Sequence, residues 1–157
     1  MLAKHFRRWG IAYLAIVAAA LLFKGHFVFG INSSTSLPQR VFLIHKGEAP
    51  ERGQYVAFRW QGGGLYPAGT TFVKILAGVP GDTVTRNERD FFVNGEFVGK
   101  AKTQGRSGTP LEPAAVGVIP PGRYFVRAPH PDSLDSRYEP PGLITKDQMI
   151  GRAYALF

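Results

Sequence analysis

The chain has 157 residues, a formal net charge of +8 and no cysteine. A disulfide framework and a thiolate metal site are therefore excluded, and the length suits one domain with at most a small addition. The basic residues are spread along the chain and no nucleic-acid motif accompanies them, so the charge reads as solubility and contact with anionic lipid headgroups, and no nucleic-acid partner is expected.

The first element is an apolar segment. Basic residues at 4–8 (Lys-His-Phe-Arg-Arg) precede an apolar run over 9–23, and a second apolar stretch covers 27–31. At about 1.5 Å per residue, a helix from Trp9 to Ile31 would cross a hydrocarbon core of ~30 Å. Lys24 and His26 lie near its far end, where both could snorkel toward headgroups. Ala18-Ala19-Ala20 offers small residues for a cleavable signal peptide. They stand inside the apolar run, however, and an uncleaved anchor is the reading adopted. Positive charge ahead of the anchor keeps the N-terminus cytoplasmic, so the chain after residue 31 is exported. The expected organisation is a basic stub and anchor at 1–31 and an exported β-rich domain at 32–157.

Beyond the anchor the pattern is short and β-like. Candidate strands cover 41–44, 55–60, 71–76, 90–93, 123–128 and 151–156. Asn94-Gly95, between Phe91-Phe92-Val93 and Glu96-Phe97-Val98, predicts a hairpin, because a type I′ turn needs positive φ at both central residues. Gly62-Gly63-Gly64 reads as a flexible turn, since neither a Lys-Ser/Thr pair nor a helix pattern follows it. Residues 101–114, rich in Gly, Ser, Thr and Pro, read as a surface excursion. The fold class expected is mainly β, with partly barrel-like antiparallel sheets behind one N-terminal transmembrane helix. The 19 glycines and 12 prolines fit such a turn-rich chain. His5, His26, His45 and His130 lack metal-ligand spacing, and no metal or other cofactor is expected.

Two segments carry candidate chemistry. Ile31-Asn32-Ser33-Ser34-Thr35-Ser36-Leu37-Pro38 directly follows the anchor. Taken alone it is either a hydroxyl-rich linker or a nucleophile loop, and a serine nucleophile needs a base. No histidine lies in a suggestive motif. Lys74 stands in Phe72-Val73-Lys74-Ile75-Leu76, where alternation puts Phe72 and Leu76 on its own strand face. Burial there would disfavour the ammonium and make the amine a base. The other reading is a lysine whose stem lies along the strand while its amine reaches water.

Four blocks, in order, resemble the type I signal peptidase family, and in particular its short conjugative-transfer, TraF-type members. They are Ser34-Thr35-Ser36-Leu37-Pro38; Gly53-Gln54-Tyr55-Val56-Ala57-Phe58; Phe72-Val73-Lys74 through Gly78-Val79-Pro80-Gly81-Asp82; and Ser133-Leu134-Asp135-Ser136-Arg137-Tyr138 with Ile150-Gly151-Arg152-Ala153. Pro38 follows Leu37 directly, which favours the conjugative branch. Arg127-Ala128-Pro129-His130 stands where the family usually has Gly-Asp-Asn.

The resemblance implies a membrane-anchored serine endopeptidase with a Ser-Lys dyad. Ser36 would attack the scissile carbonyl and Lys74 would act as general base. The Ser36 N–H and the Ser34 hydroxyl would form the oxyanion hole, Ser133 would orient Lys74, and Asp135 and Arg137 would support the last block. The partners implied are an exported pre-protein, such as the pre-pilin of a conjugative system, and inner-membrane lipid, with the catalytic domain periplasmic. Two alternatives stay open: a pilin cyclase that uses the same dyad with an amine acceptor, and a non-catalytic pilus-assembly scaffold.

Overall fold

The computed structural model describes residues 2–63 and 66–157. Gly64, the last residue of the 62–64 glycine turn, lies outside them. In chain order the elements are α1 (Leu2–His26), β1 (Phe27–Ile31), β2 (Val41–Lys46), β3 (Tyr55–Arg59), β4 (Thr71–Gly78), β5 (Thr83–Asn87), β6 (Asp90–Val93) and β7 (Glu96–Lys100). The short strands β8 (Glu112–Pro113) and β9 (Gly117–Val118) follow, then β10 (Arg123–Arg127), β11 (Tyr138–Glu139), β12 (Ile144–Thr145) and β13 (Met149–Ala155).

Helix α1 is apolar, and its large side chains find no protein cover: Ile11 is 85% and Leu14 72% exposed. It is the one helix among the described residues long and apolar enough to cross a membrane. Its last turn carries Lys24 and His26 and no acidic residue opens it. Lys46 Nζ donates to the Lys24 carbonyl at 2.7 Å, a cation placed on the negative end of the helix.

The helix stops at His26, not at Ile31 as the apolar run suggested. Phe27–Ile31 is strand β1, paired antiparallel with β2 from Phe27↔His45 to Ile31↔Val41. Aromatic and β-branched side chains suit a pleated surface, and β2 supplies the backbone partners that a longer helix would have supplied internally. Phe27 stacks on the His45 ring at 4.6 Å and on Phe23 of the helix at 5.0 Å, so the helix end and the sheet edge are joined without a free linker.

All strand pairings are antiparallel. A seven-stranded sheet runs β1-β2-β13-β3-β4-β10-β12, and a four-stranded sheet runs β7-β6-β5-β9; β11 and β8 form a third pair. The large sheet buries both faces. Leu37, Phe42, Ile44, Ala57, Ala128 and Ala153 pack on one, and Val56, Phe58, Leu76, Val126 and Ile144 on the other. A third cluster, with Val84, Phe91, Val93 and Phe125, ties the small sheet to the end of the large one.

The six expected strands are all present, with ends shifted by a few residues. The Asn94-Gly95 hairpin has φ of 50° and 83°, as its turn chemistry requires. Strand β5 escaped the pattern because Val84 is its only buried side chain. The chain passes from β4 to β5 through Val79-Pro80-Gly81-Asp82. There the Asp82 carboxylate accepts from the Val79 N–H at 2.8 Å, from Asn94 at 2.8 Å and from Arg52 at 2.7 Å. One buried side chain therefore fixes the turn and the neighbouring hairpin together. Gly151 in β13 has a similarly local reason: a Cβ there would stand 1.9 Å from the His45 carbonyl oxygen.

Candidate active site

Ser36 lies on the loop between β1 and β2, and Asn32 organises that loop. The Asn32 side-chain amide donates to the carbonyls of Leu37 at 3.1 Å and Gln39 at 3.0 Å. Its Oδ1 accepts from the Ser34 N–H at 3.0 Å and from the Ser34 hydroxyl at 2.8 Å. The Ser34 N–H needs an acceptor, which fixes the amide orientation.

This has a chemical consequence at Ser36. The single Ser34 proton is spent on Asn32 Oδ1, which can only accept. Ser34 Oγ must then accept in its contact with Ser36 Oγ at 2.8 Å, and it also accepts from the Ser36 N–H at 3.3 Å. The Ser36 hydroxyl proton points at Ser34. Ser36 is nearly covered, and Thr35 beside it is exposed.

Lys74 sits in the middle of β4 opposite Val56, with Phe72 and Leu76 on its own face. Only 5% of it is exposed. Nζ donates to Ser133 Oγ at 2.8 Å and lies 5.6 Å from the centre of the Phe72 ring. Burial pulls its pKa from the ordinary 10.5 down to about 8; the Asp135 charge pushes the other way and the Arg137 charge offsets it. The amine is thus neutral in a usable fraction near neutral pH. Ser133 is buried as well, and its N–H donates to the His130 carbonyl at 3.0 Å.

Asp135 and Arg137 face each other as a two-pronged ion pair, Nε to Oδ1 at 2.8 Å and Nη2 to Oδ2 at 2.9 Å, with 0% and 2% of the residues exposed. Their remaining groups are also used. Asp135 accepts from the Ala128 N–H at 3.0 Å, and Arg137 Nη1 donates to the Lys100 carbonyl at 2.9 Å. Gly99 makes room for this guanidinium, since a Cβ would lie 2.6 Å from Nη1. The pair therefore ties the block at 133–138 to Ala128, directly after β10, on one side and to β7 of the small sheet on the other.

The structure gathers Ser34 with Ser36 and, separately, Lys74 with Ser133, Asp135 and Arg137. Ser36 and Lys74 share no direct hydrogen bond; each is held by a different serine. Among the described residues no histidine hydrogen-bonds either of them, and no group of His, Asp and Glu is placed to hold a metal ion. Asn32 is the organising residue that sequence reading passed over. The available signal was an Asn at a strand end directly before a serine run, a residue suited to bonding its own backbone.

A family model described as "Signal peptidase, peptidase S26" matches residues 2–157. Signal peptidase I T of Bacillus subtilis (strain 168) is 28% identical over 173 aligned positions, covering 97% of this chain and 85% of the relative. Signal peptidase I of Bacillus licheniformis is 30% identical over 161 positions, covering 92% of this chain and 81% of the relative. A crystal structure of a signal peptidase I from Enterococcus faecalis V583 aligns with 70% of this chain and 98% of its own, at 22% identity and a TM-score of 0.43.

Proposed function

The chain belongs to the peptidase S26 family of signal peptidases, serine-type hydrolases that process leader peptides, and from that premise we propose that Ser36 is its nucleophile and Lys74 its general base. The observation that carries the proposal is the buried Lys74 amine, brought down to about 8 and aimed by Ser133. A lysine in water at its ordinary pKa of about 10.4 would be almost wholly protonated at pH 7 and useless as a base.

Ser36 turns its hydroxyl from Ser34 toward Lys74. As Oγ bonds to the scissile carbonyl carbon, its proton passes to neutral Lys74. The Ser36 N–H and the Ser34 hydroxyl, released from each other and from Asn32, are then free to donate to the oxyanion, a contribution of about 3–4 kcal/mol per donor. The C–N bond breaks and protonated Lys74 returns the proton to the departing amine. The N-terminal leader remains on Ser36 as an ester. Lys74 next takes a proton from water as the water oxygen bonds to the ester carbon; the C–Oγ bond then breaks, protonated Lys74 returns the proton to Ser36 Oγ, and the leader departs with a free carboxyl group.

The substrate is an exported pre-protein presented at a membrane surface, and α1 anchors the enzyme there. The basic residues at 4–8, inside the start of α1 and ahead of its apolar run, support a cytoplasmic N-terminus and a catalytic domain on the outer face of the inner membrane. The direct Leu37-Pro38 step supports the pre-pilin of a conjugative system as the substrate. The test is the full chain in detergent with a pre-pilin, wild type beside Ser36→Ala, read by mass spectrometry. Cleavage by the Ser36→Ala variant at the wild-type rate would end this assignment.

A further inference from the structure

We propose that Arg106, in the excursion between β7 and β8, is a positioning residue that brackets the two halves of the site. This rests on the assignment of Ser36 and Lys74 above. Arg106 Nε donates to Asp132 Oδ2 at 3.0 Å, and its Nη2 donates to Thr35 Oγ1 at 3.3 Å. Thr35 is the residue before Ser36, and Asp132 is the residue before Ser133, the partner of Lys74. Among the described residues no other side chain hydrogen-bonds both of these loops. Ser36 and Lys74 do not bond each other directly, so the path Thr35–Arg106–Asp132–Ser133–Lys74 is the polar connection between nucleophile and base.

The excursion is built to hold Arg106 in place. Gly105 N–H donates to the Thr109 carbonyl at 2.9 Å, and Leu111 N–H to the Thr103 carbonyl at 2.9 Å, which closes the segment into a narrow loop. Its base is fastened on both sides. The Lys102 N–H donates to the hydroxyl of buried Tyr138 at 2.9 Å, and Arg89 donates to the carbonyls of Leu111 and Lys102. Lys102 Nζ makes a second bond to Asp132 through Oδ1. Hydrogen bonds from Lys102 and then from Arg106 hold the Asp132 carboxyl down at about 2, so the bracket stays charged throughout the range in which Lys74 titrates.

Arginine is the residue this geometry needs. A planar guanidinium offers donors in fixed directions to two acceptors at once, whereas an ammonium is a point charge that serves one of them well. The Arg106 side chain is 66% exposed, so its ion pair adds little to stability. A misplacement of about 1 Å can cost on the order of a hundredfold in rate. The bracket therefore acts on the spacing between loops and shows in kcat.

The test uses the full chain in detergent and an internally quenched peptide with Ala at the first and third positions before the cut. Wild type, Ser36→Ala, Arg106→Ala, Arg106→Lys, Thr35→Val and the double variant Arg106→Ala/Thr35→Val are compared, with the thermal midpoint of each. The expected result is a loss of about tenfold in kcat for Arg106→Ala, with KM within about twofold. Arg106→Lys should fail to restore it. Thr35→Val should show a similar loss, and the double variant should be no worse than either single one, because the three changes break one connection. Wild-type kcat in Arg106→Ala, a change in KM alone, or fully additive losses would each overturn the bracket. If Arg106→Ala lowers the thermal midpoint sharply, Thr35→Val, which keeps the side-chain shape, decides on its own kcat. A Ser36→Ala variant that still cleaves overturns the nucleophile assignment whatever Arg106 does; an inactive Ser36→Ala beside a normal Arg106→Ala overturns only the bracket.

Discussion

Ser36 donates its hydrogen bonds to Ser34, two residues away, whereas Lys74 reaches Ser133 across 59 positions of sequence. The loop of the proposed nucleophile is wired by its own members, chiefly Asn32 and Ser34. The proposed base, Lys74, is wired by the whole domain: its strand lies between β3 and β10, its serine comes from a distant loop, and that loop is fastened by an ion pair that also grips β7. Local wiring sets where a proton points. Long-range wiring sets whether a lysine is dry enough to lose one. Changes in the first region should therefore move the rate and leave stability alone, and changes in the second should move both.

The largest effect expected is at the dyad. Ser36→Ala and Lys74→Ala should each lower cleavage by on the order of 10⁴-fold or more, and losing both should cost little beyond losing one. Lys74→Arg should be as inactive as Lys74→Ala, because a guanidinium does not deprotonate. A near-normal rate in the arginine variant, followed by mass spectrometry of the product, would make Lys74 a structural cation.

Next comes Arg137→Met, which leaves the buried Asp135 charge without its partner. Urea unfolding should show a loss of about 3–5 kcal/mol, with activity falling as the fold does. A loss below about 1 kcal/mol would mean that the pair does not fasten the base side of the site. On the nucleophile side, Ser34→Ala should reduce kcat by on the order of a hundredfold, the usual consequence of removing one oxyanion donor, with an unchanged urea midpoint. A shifted midpoint there would blur the contrast between the two regions.

The smallest effects are in pH. Neutral Lys74 accumulates as pH rises toward about 8, so kcat/KM should climb about tenfold per pH unit on the acid side and level off above that value. The same shift has a thermodynamic face. The unfolded chain holds the Lys74 proton up to its ordinary 10.5 and the folded chain releases it near 8. The cost of folding around this lysine is therefore full below pH 8 and fades as pH rises toward 10.5. Lys74→Met should be inactive yet more resistant to urea than wild type at pH 7, with the difference shrinking by pH 10. A stability gap that does not vary with pH would argue against a depressed lysine.

Much of this was legible in the sequence, and the failures have physical causes. Strands β3 and β10 alternate in part and are bounded by turn residues, so their pattern finds them. Asn94-Gly95 is legible because its required φ values suit few other pairs. Strand β1 was not, since Phe27-Val28-Phe29-Gly30-Ile31 is apolar throughout and a run without period reads equally as helix or strand. At the site, the apolar neighbours Phe72 and Leu76 marked Lys74 as a candidate for burial, and only 5% of it is exposed; Ser36 and Ser133 were singled out by the resemblance of their blocks to the signal peptidase family. The direction of the Ser36 proton depends on Asn32, and the pull of Asp135 on Lys74 depends on a fold that brings a carboxylate near β4. Neither can be read from spacing.

The unbroken passage from α1 into β1 sets a distance. Five strand residues separate the helix end at His26 from the start of the Ser36 loop at Asn32, a span that at about 3.4 Å per residue step is at most ~20 Å. The Phe23–Phe27–His45 stack and the Lys46–Lys24 bond keep that span from swinging freely. On the proposed assignment of α1 as anchor and Ser36 as nucleophile, the enzyme would work as a depth gauge: it would sample the few residues of a passing chain that emerge next to the bilayer, and a sequence with the right side chains displayed further out would have to fold back to be cut.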